Sequence, residues 1–109
     1  MTSLPPILTM EEIKKGIAAT IEGYEDKIKK ITLFGSYARG DANPFSDVDL
    51  IVDGKFDSYL DFIEFSEDAR TVFMVFYGVE VDIFQEQEVI DNTEFSESIK
   101  KEGIVIYER

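Results

Sequence analysis

The chain predicts an α+β fold: one domain with about four strands and three or four helices. Three observations carry this. Apolar residues recur at helical spacing in some segments and at strand-like spacing in others. Gly, Asn-Pro and Asp-Gly signals separate those segments. The length of 109 residues suits a single domain, and 44% apolar residues with nine Phe and five Tyr suffice for a core.

Met1–Thr9, with Pro5 and Pro6, reads as an extended lead-in. Thr9 and Glu12 form the pattern of a capping box, with Thr9 as N-cap. Ile13, Ile17 and Ile21, with Ala18 beside them, then mark one face of a helix that runs to about Gly23. Ile28–Phe34 is a strand closed by Gly35. Ser36–Gly40 is long enough for one helical turn, and Asn43-Pro44 makes a turn within Asp41–Ser46. Val48–Val52 is a second strand, stopped by Asp53-Gly54. Asp57–Phe76 is the longest helical segment, with the apolar stripe Leu60, Ile63, Phe65, Ala69, Val72, Phe73 and Phe76, and Gly78 breaks it. Val79–Phe84 alternates as a half-buried strand. Gln85–Lys101 is polar and weakly helical, with Phe95 and Ile99 four apart. Gly103 precedes a terminal strand, Ile104–Tyr107.

The composition excludes several chemistries. There is no Cys and no His, so a disulfide framework, a thiol nucleophile and a Ser-His-Asp triad are all ruled out. Any metal must be held by oxygen, which selects hard cations such as Mg²⁺, Mn²⁺ or Ca²⁺. Eleven Lys and Arg against 23 Asp and Glu give a net charge of −12, unsuited to general nucleic-acid binding. The first ten residues lack a basic segment and a long apolar run, so no signal peptide is expected. No segment is apolar enough over about 20 residues to span a membrane. A cytoplasmic location is the expectation.

Three features line up as a site. Gly35-Ser36 follows a strand directly, Asp47-Val48-Asp49 opens the next, and Asp82 lies within a later one. Residues two apart on a strand share a face, so Asp47 and Asp49 oppose Val48, Leu50 and Val52. Asp82 likewise opposes Val79, Val81 and Ile83. If the two strands are neighbours, three carboxylates converge. Such a cluster either takes up a proton or is neutralised by a divalent cation. Two metals side by side would activate an attacking oxygen and stabilise a leaving one, the chemistry of phosphoryl-type transfer. Gly35 lets the backbone approach closely, and Gly35 and Ser36 at the start of a helical turn suit a polyphosphate. Each piece also has a plain reading. Asp-x-Asp is commonly a solvated strand edge, Gly-Ser a turn, and Asp82 beside Glu80 a polar face. Only their order and spacing raise them above that.

The run Leu33-Phe34-Gly35-Ser36-Tyr37-Ala38-Arg39-Gly40, followed by Ser46-Asp47-Val48-Asp49-Leu50-Ile51-Val52, closely resembles the signature of the minimal nucleotidyltransferases. These belong to the DNA-polymerase-beta-like superfamily, marked by Gly-Ser, a spacer and Asp-x-Asp. Here ten residues, 37–46, form the spacer. Val81-Asp82-Ile83 resembles the segment carrying the family's third carboxylate, and the stretch Ile99–Tyr107 resembles the usual end of these domains. Tyr37 departs from the family, which often has a basic or other residue there.

The resemblance, covering nearly the whole chain from about residue 10, implies a single domain over residues 1–109. Its sheet is small and mixed, of about four strands, with helices packed on one face. It implies that Gly35 and Ser36 hold the β- and γ-phosphates of ATP, and that Asp47 and Asp49 ligate two Mg²⁺ ions. Asp82 would ligate one of these and help deprotonate an acceptor hydroxyl. Arg39 would either steady the triphosphate or pair with Asp41 or Asp47. Asp53 and Asp57 are expected at the surface, and Tyr37 and Tyr107 in packing or an interface. Phe62–Phe76 is core first. Its Phe73, Phe76 and Tyr77 exceed what one helix face needs and offer material for a protein interface.

Stand-alone domains of this size in the family are typically antitoxins that transfer AMP to a tyrosine of a HEPN-domain toxin, and that is the leading expectation. An acidic surface fits a basic partner. Two alternatives stay open: a non-catalytic antitoxin that masks its partner, and an enzyme acting on a small molecule. The length reads as a catalytic core stripped of a substrate domain, so the acceptor must come from elsewhere.

Overall fold

The structure is a computed structural model that describes residues 7–91 and 93–109. Met1–Pro6 of the expected lead-in and the Phe95 side chain lie outside the described residues. Ile7–Thr9 are non-helical, and Thr9 is extended.

Helix α1 spans Met10–Ile21, and its capping box forms as expected. The Thr9 hydroxyl accepts from the Glu12 N–H at 3.1 Å, and Glu12 accepts from the Thr9 N–H at 2.9 Å. Ile13, Ile17 and Ile21 are buried; Ala18 is exposed, and Gly16 and Thr20 fill the face instead. Strand β1 is Ile28–Phe34, and α2 is a five-residue helix, Gly35–Arg39. Strand β2, Val48–Gly54, runs two residues past its expected end, because Asp53 and Gly54 still pair with β1.

Helix α3 is Tyr59–Tyr77, capped by the Ser58 hydroxyl, which accepts from the Asp61 N–H. Strand β3 is Val81–Gln85, starting two residues later than the alternation suggested. The polar stretch expected as one weak helix is two: α4, Glu86–Ile90, and α5, Thr93–Glu102. That brings the helices among the described residues to five. Strand β4 is Ile104–Glu108.

The sheet order is β3-β2-β1-β4. β1 runs antiparallel to both β2 and β4, while β2 and β3 are parallel. The sheet is therefore mixed, as expected, with α3 as the crossover between its parallel pair. Ile31 and Leu33 of β1, Val48, Leu50 and Val52 of β2, and Val81 and Ile83 of β3 bury one face. α1 and α3 cover it with Ile13, Ile17, Phe62, Phe65, Ala69 and Phe73. Burying each such side chain contributes roughly 1.5–3 kcal/mol. A Cβ on Gly16 would lie 2.6 Å from the Phe73 ring, so glycine permits the close α1–α3 crossing.

The α3 stripe is narrower than the sequence suggests. Phe62, Phe65, Ser66, Ala69 and Phe73 face the core, whereas Leu60 and Phe76 are 76% and 61% exposed. On the other face of the sheet, Thr32 and Ile51 line a groove with Val89 of α4 and Ile99 of α5, so helices flank both faces rather than the one expected. Among the described residues, no helix is long and apolar enough to cross a membrane.

Candidate active site

The sheet assembles its acidic residues by register. Phe34, the last residue of β1, pairs with Asp49 of β2, and Asp49 pairs with Asp82 of β3. Paired residues of parallel strands point to the same side, so the two carboxylates are adjacent. The strands that had to be neighbours are neighbours. Asp47 sits just before β2, where the Val48 N–H donates to the Glu80 carbonyl at 2.9 Å and fixes the start of the parallel pair. A tight turn presents it: Asn43 accepts from the Phe45 N–H at 2.8 Å, and the Ser46 hydroxyl accepts from the Asn43 N–H at 2.9 Å.

Gly35 makes the close approach. Its φ is +73°, a left-handed conformation that favours glycine, and the Asp49 carboxylate stands where a Cβ would be. Gly35, Ser36 and Asp49 thus meet at one end of the sheet. The buried Tyr37 points from α2 into the core, and its hydroxyl accepts from the Leu8 N–H at 3.3 Å. Of the roles considered for Tyr37, packing is the one observed.

Arg39 pairs with Asp41 at 3.2 Å, one of the two partners considered for it. Its second partner is Glu102 of α5 at 3.3 Å, rather than Asp47. Asp57 is exposed and Asp53 half-buried.

The electrostatics follow from this crowding. Asp49, half-buried, has its carboxyl pushed up to about 6, first by burial and then by Asp82 and Asp47; Arg39 opposes the shift. Asp47 is also raised, by burial first and then by Asp82 and Glu80. Asp82 is exposed on the outermost strand, where an incoming group can reach it. The donor set is oxygen only, with excess negative charge at close quarters, which suits a hard divalent cation. Among the described residues, no three acidic groups as they stand form a ready metal cage, so ligation would require side-chain movement.

Residues 15–109 match the family described as Polymerase beta, Nucleotidyltransferase. The chain belongs to that family. A Methanocaldococcus jannaschii protein named provisionally as a protein adenylyltransferase is 35% identical over 99 residues, 87% of this chain and 94% of that one. The fold of this nucleotidyltransferase is similar to a chain in the crystal structure of a toxin–antitoxin with AMP-PNP. There the TM-score is 0.68 at 18% identity, covering 88% of this chain and 73% of that one. It is also similar to a chain in the solved complex of tri-AMPylated Shewanella oneidensis HEPN toxin with MNT antitoxin. That match has a TM-score of 0.64 at 16% identity, covering 93% and 74% of the two chains.

Sequence reasoning passed over Glu102 and Glu80. Glu102 lies 63 positions from Arg39, and no local pattern links them. Glu80 was noted only as a polar neighbour of Asp82, although its carbonyl anchors the parallel pair.

Proposed function

We propose that this nucleotidyltransferase moves AMP from ATP to a tyrosine hydroxyl of a HEPN-domain toxin and thereby acts as its antitoxin, in the cytoplasm. The observation that carries the reading is the direct pairing of Asp49 with Asp82, beside a Gly35 whose place a Cβ cannot take. In this reading the backbone at Gly35 and the Ser36 hydroxyl hold the β- and γ-phosphates. Asp47 and Asp49 would hold two Mg²⁺ ions, with Asp82 as a further ligand. When bound, magnesium supplies neutralisation of the carboxylates and of the developing charge on the triphosphate.

Asp82 accepts the proton of the acceptor hydroxyl. The hydroxyl oxygen bonds to the α-phosphorus, the bond from that phosphorus to the β-phosphate oxygen breaks, and pyrophosphate leaves. A carboxylate base is suited to this in a chain without His. Arg39, already charged and close enough to act on Asp49, can exchange Glu102 or Asp41 for a phosphate oxygen. The HEPN partner and the AMP transfer come to this reading from the family resemblance, and are supported by the similarity to the tri-AMPylated complex.

The test incubates the chain with α-labelled ATP, Mg²⁺ and the HEPN protein encoded beside it. Label on the partner, absent with Asp47→Asn/Asp49→Asn, is expected. A partner that co-purifies and is silenced without taking label would leave a masking antitoxin and overturn the enzymatic reading.

A further inference from the structure

Two grooves flank the proposed catalytic carboxylates, and neither is lined by Gly35 or Ser36, the residues proposed to hold the phosphates. The larger, about 530 Å³, runs between α3 and the outermost strand β3; Thr71, Met74 and Val75 form one wall, and Glu80 and Asp82 the other. The smaller, about 260 Å³, is lined by Phe45, Asp47, Met74 and Glu80 among others. The grooves share Met74 and Glu80, and each holds one of the site's aspartates. Their apolar parts are left to solvent: Phe45 is 76% exposed, Val75 71% and Met74 48%. Apolar surface of this kind rimmed by polar groups marks an interaction site.

Resting on the adenylylation reading above, we propose that Phe45, Met74, Val75 and Glu80 form the docking surface for the acceptor protein. They would select a segment whose target hydroxyl is flanked by an apolar and a basic residue. The charge decides the occupant. Glu80, which lines both grooves and lies outside the proposed metal ligands, keeps its negative charge when the site is loaded, and Arg70, the cation at the larger groove, pairs with Glu67 at 3.5 Å. A second copy of this chain would bring another net −12 against the same surface. A Lys or Arg beside the acceptor hydroxyl meets Glu80, its apolar neighbour meets Met74 and Val75, and the hydroxyl is delivered to Asp82.

The test uses the full chain with α-labelled ATP and Mg²⁺. Two synthetic peptides serve as acceptors: a tyrosine flanked by leucine and lysine, and the same peptide with glutamate replacing lysine. The HEPN partner is a third acceptor. The ratio of kcat/KM between the peptides is the readout, because any effect of a variant on the chemistry is common to both and cancels. The wild type is expected to prefer the lysine peptide by about threefold or more. Glu80→Lys is expected to abolish or invert that preference. Met74→Ser is expected to raise KM for both peptides with ATP affinity unchanged. Label on the HEPN partner with peptide ratios equal in wild type and Glu80→Lys overturns the docking surface and leaves adenylylation standing. No label on any acceptor overturns the adenylylation reading, and this inference with it.

Discussion

The two ends of strand β2 treat acidic side chains in opposite ways. At its start, Asp49 faces Asp82 and neighbours Asp47, and both Asp47 and Asp49 are held above the ordinary carboxylate range. Beyond its end, Lys27 meets Asp61 at 2.5 Å and Asp57 at 3.9 Å. There the Lys27 ammonium holds the Asp61 carboxyl below its usual value, and Asp61 raises Lys27 in return. The fold therefore pairs its charges beyond one end of β2 and leaves them in repulsion at the other. A crowded carboxylate set without a cationic partner as close as Lys27 opposes folding, and its presence is what the proposed chemistry at this end would account for.

The largest effect expected from that contrast is on transfer. Asp82→Asn removes the carboxylate proposed to take the proton, and AMP transfer to the acceptor should fall about 10²–10⁴-fold. Folding should be unharmed, because one of the repelling charges is gone. Asp61→Asn should do the reverse, leaving kcat within about twofold while lowering the melting temperature, since it strips Lys27 of its nearest partner. Labelled-ATP assays and thermal melts on both variants check this. A stable, fully active Asp82→Asn would dissolve the distinction between the two ends.

The end proposed as catalytic is more legible in the sequence than the structural end. Gly35-Ser36 and Asp47-Val48-Asp49 are contiguous, so a strand's two-residue period was enough to place both aspartates on one face. Asp82 needed the further condition that β2 and β3 pair, which the parallel register satisfies. The capping box at Thr9 and Glu12 was legible because it is local. Lys27 with Asp61 was not, since 34 positions separate them and only the α3 fold-back joins them. The Arg39–Glu102 pair was hidden for the same reason. Helix α3 misled in another way. Its apolar residues nearly encircle it, so periodicity alone could not separate Phe62, in the core, from Leu60 and Phe76, in solvent.

A smaller effect tests how tightly the proposed catalytic end is built. Gly35→Ala forces an L-residue into φ +73° and pushes a methyl group against Asp49. The backbone conformation alone should cost roughly 1–2 kcal/mol. Relief of the contact displaces Asp49 from Asp82, so transfer should fall along with the melting temperature. Gly23→Ala is the control: it too has positive φ, at +94°, but nothing lies within 4 Å of its Cβ position. It should lose stability and keep its activity. Equal loss of activity in both would mean that Gly35 matters for its backbone alone.

The smallest effect is in pH, and there the two ends have opposite signs. Asp49, raised to about 6 in the folded, metal-free chain, is expected near 4 when unfolded. A raised carboxyl favours the folded state while protonated, so its stabilisation is complete below the unfolded value and is lost as pH rises through about 6. Asp61 is lowered, so its stabilisation is present above the unfolded value and is lost as pH falls through the folded one. Melting temperature against pH in EDTA should therefore show two separable limbs. Asp49→Asn should flatten the decline between about pH 4 and 6 and make the metal-free chain more stable than wild type at neutral pH. Asp61→Asn should leave that decline alone and flatten the acid limb. If Asp49→Asn instead destabilised the metal-free chain at neutral pH, the carboxylate would be held by favourable contacts, and the two ends of β2 would differ in position rather than in kind.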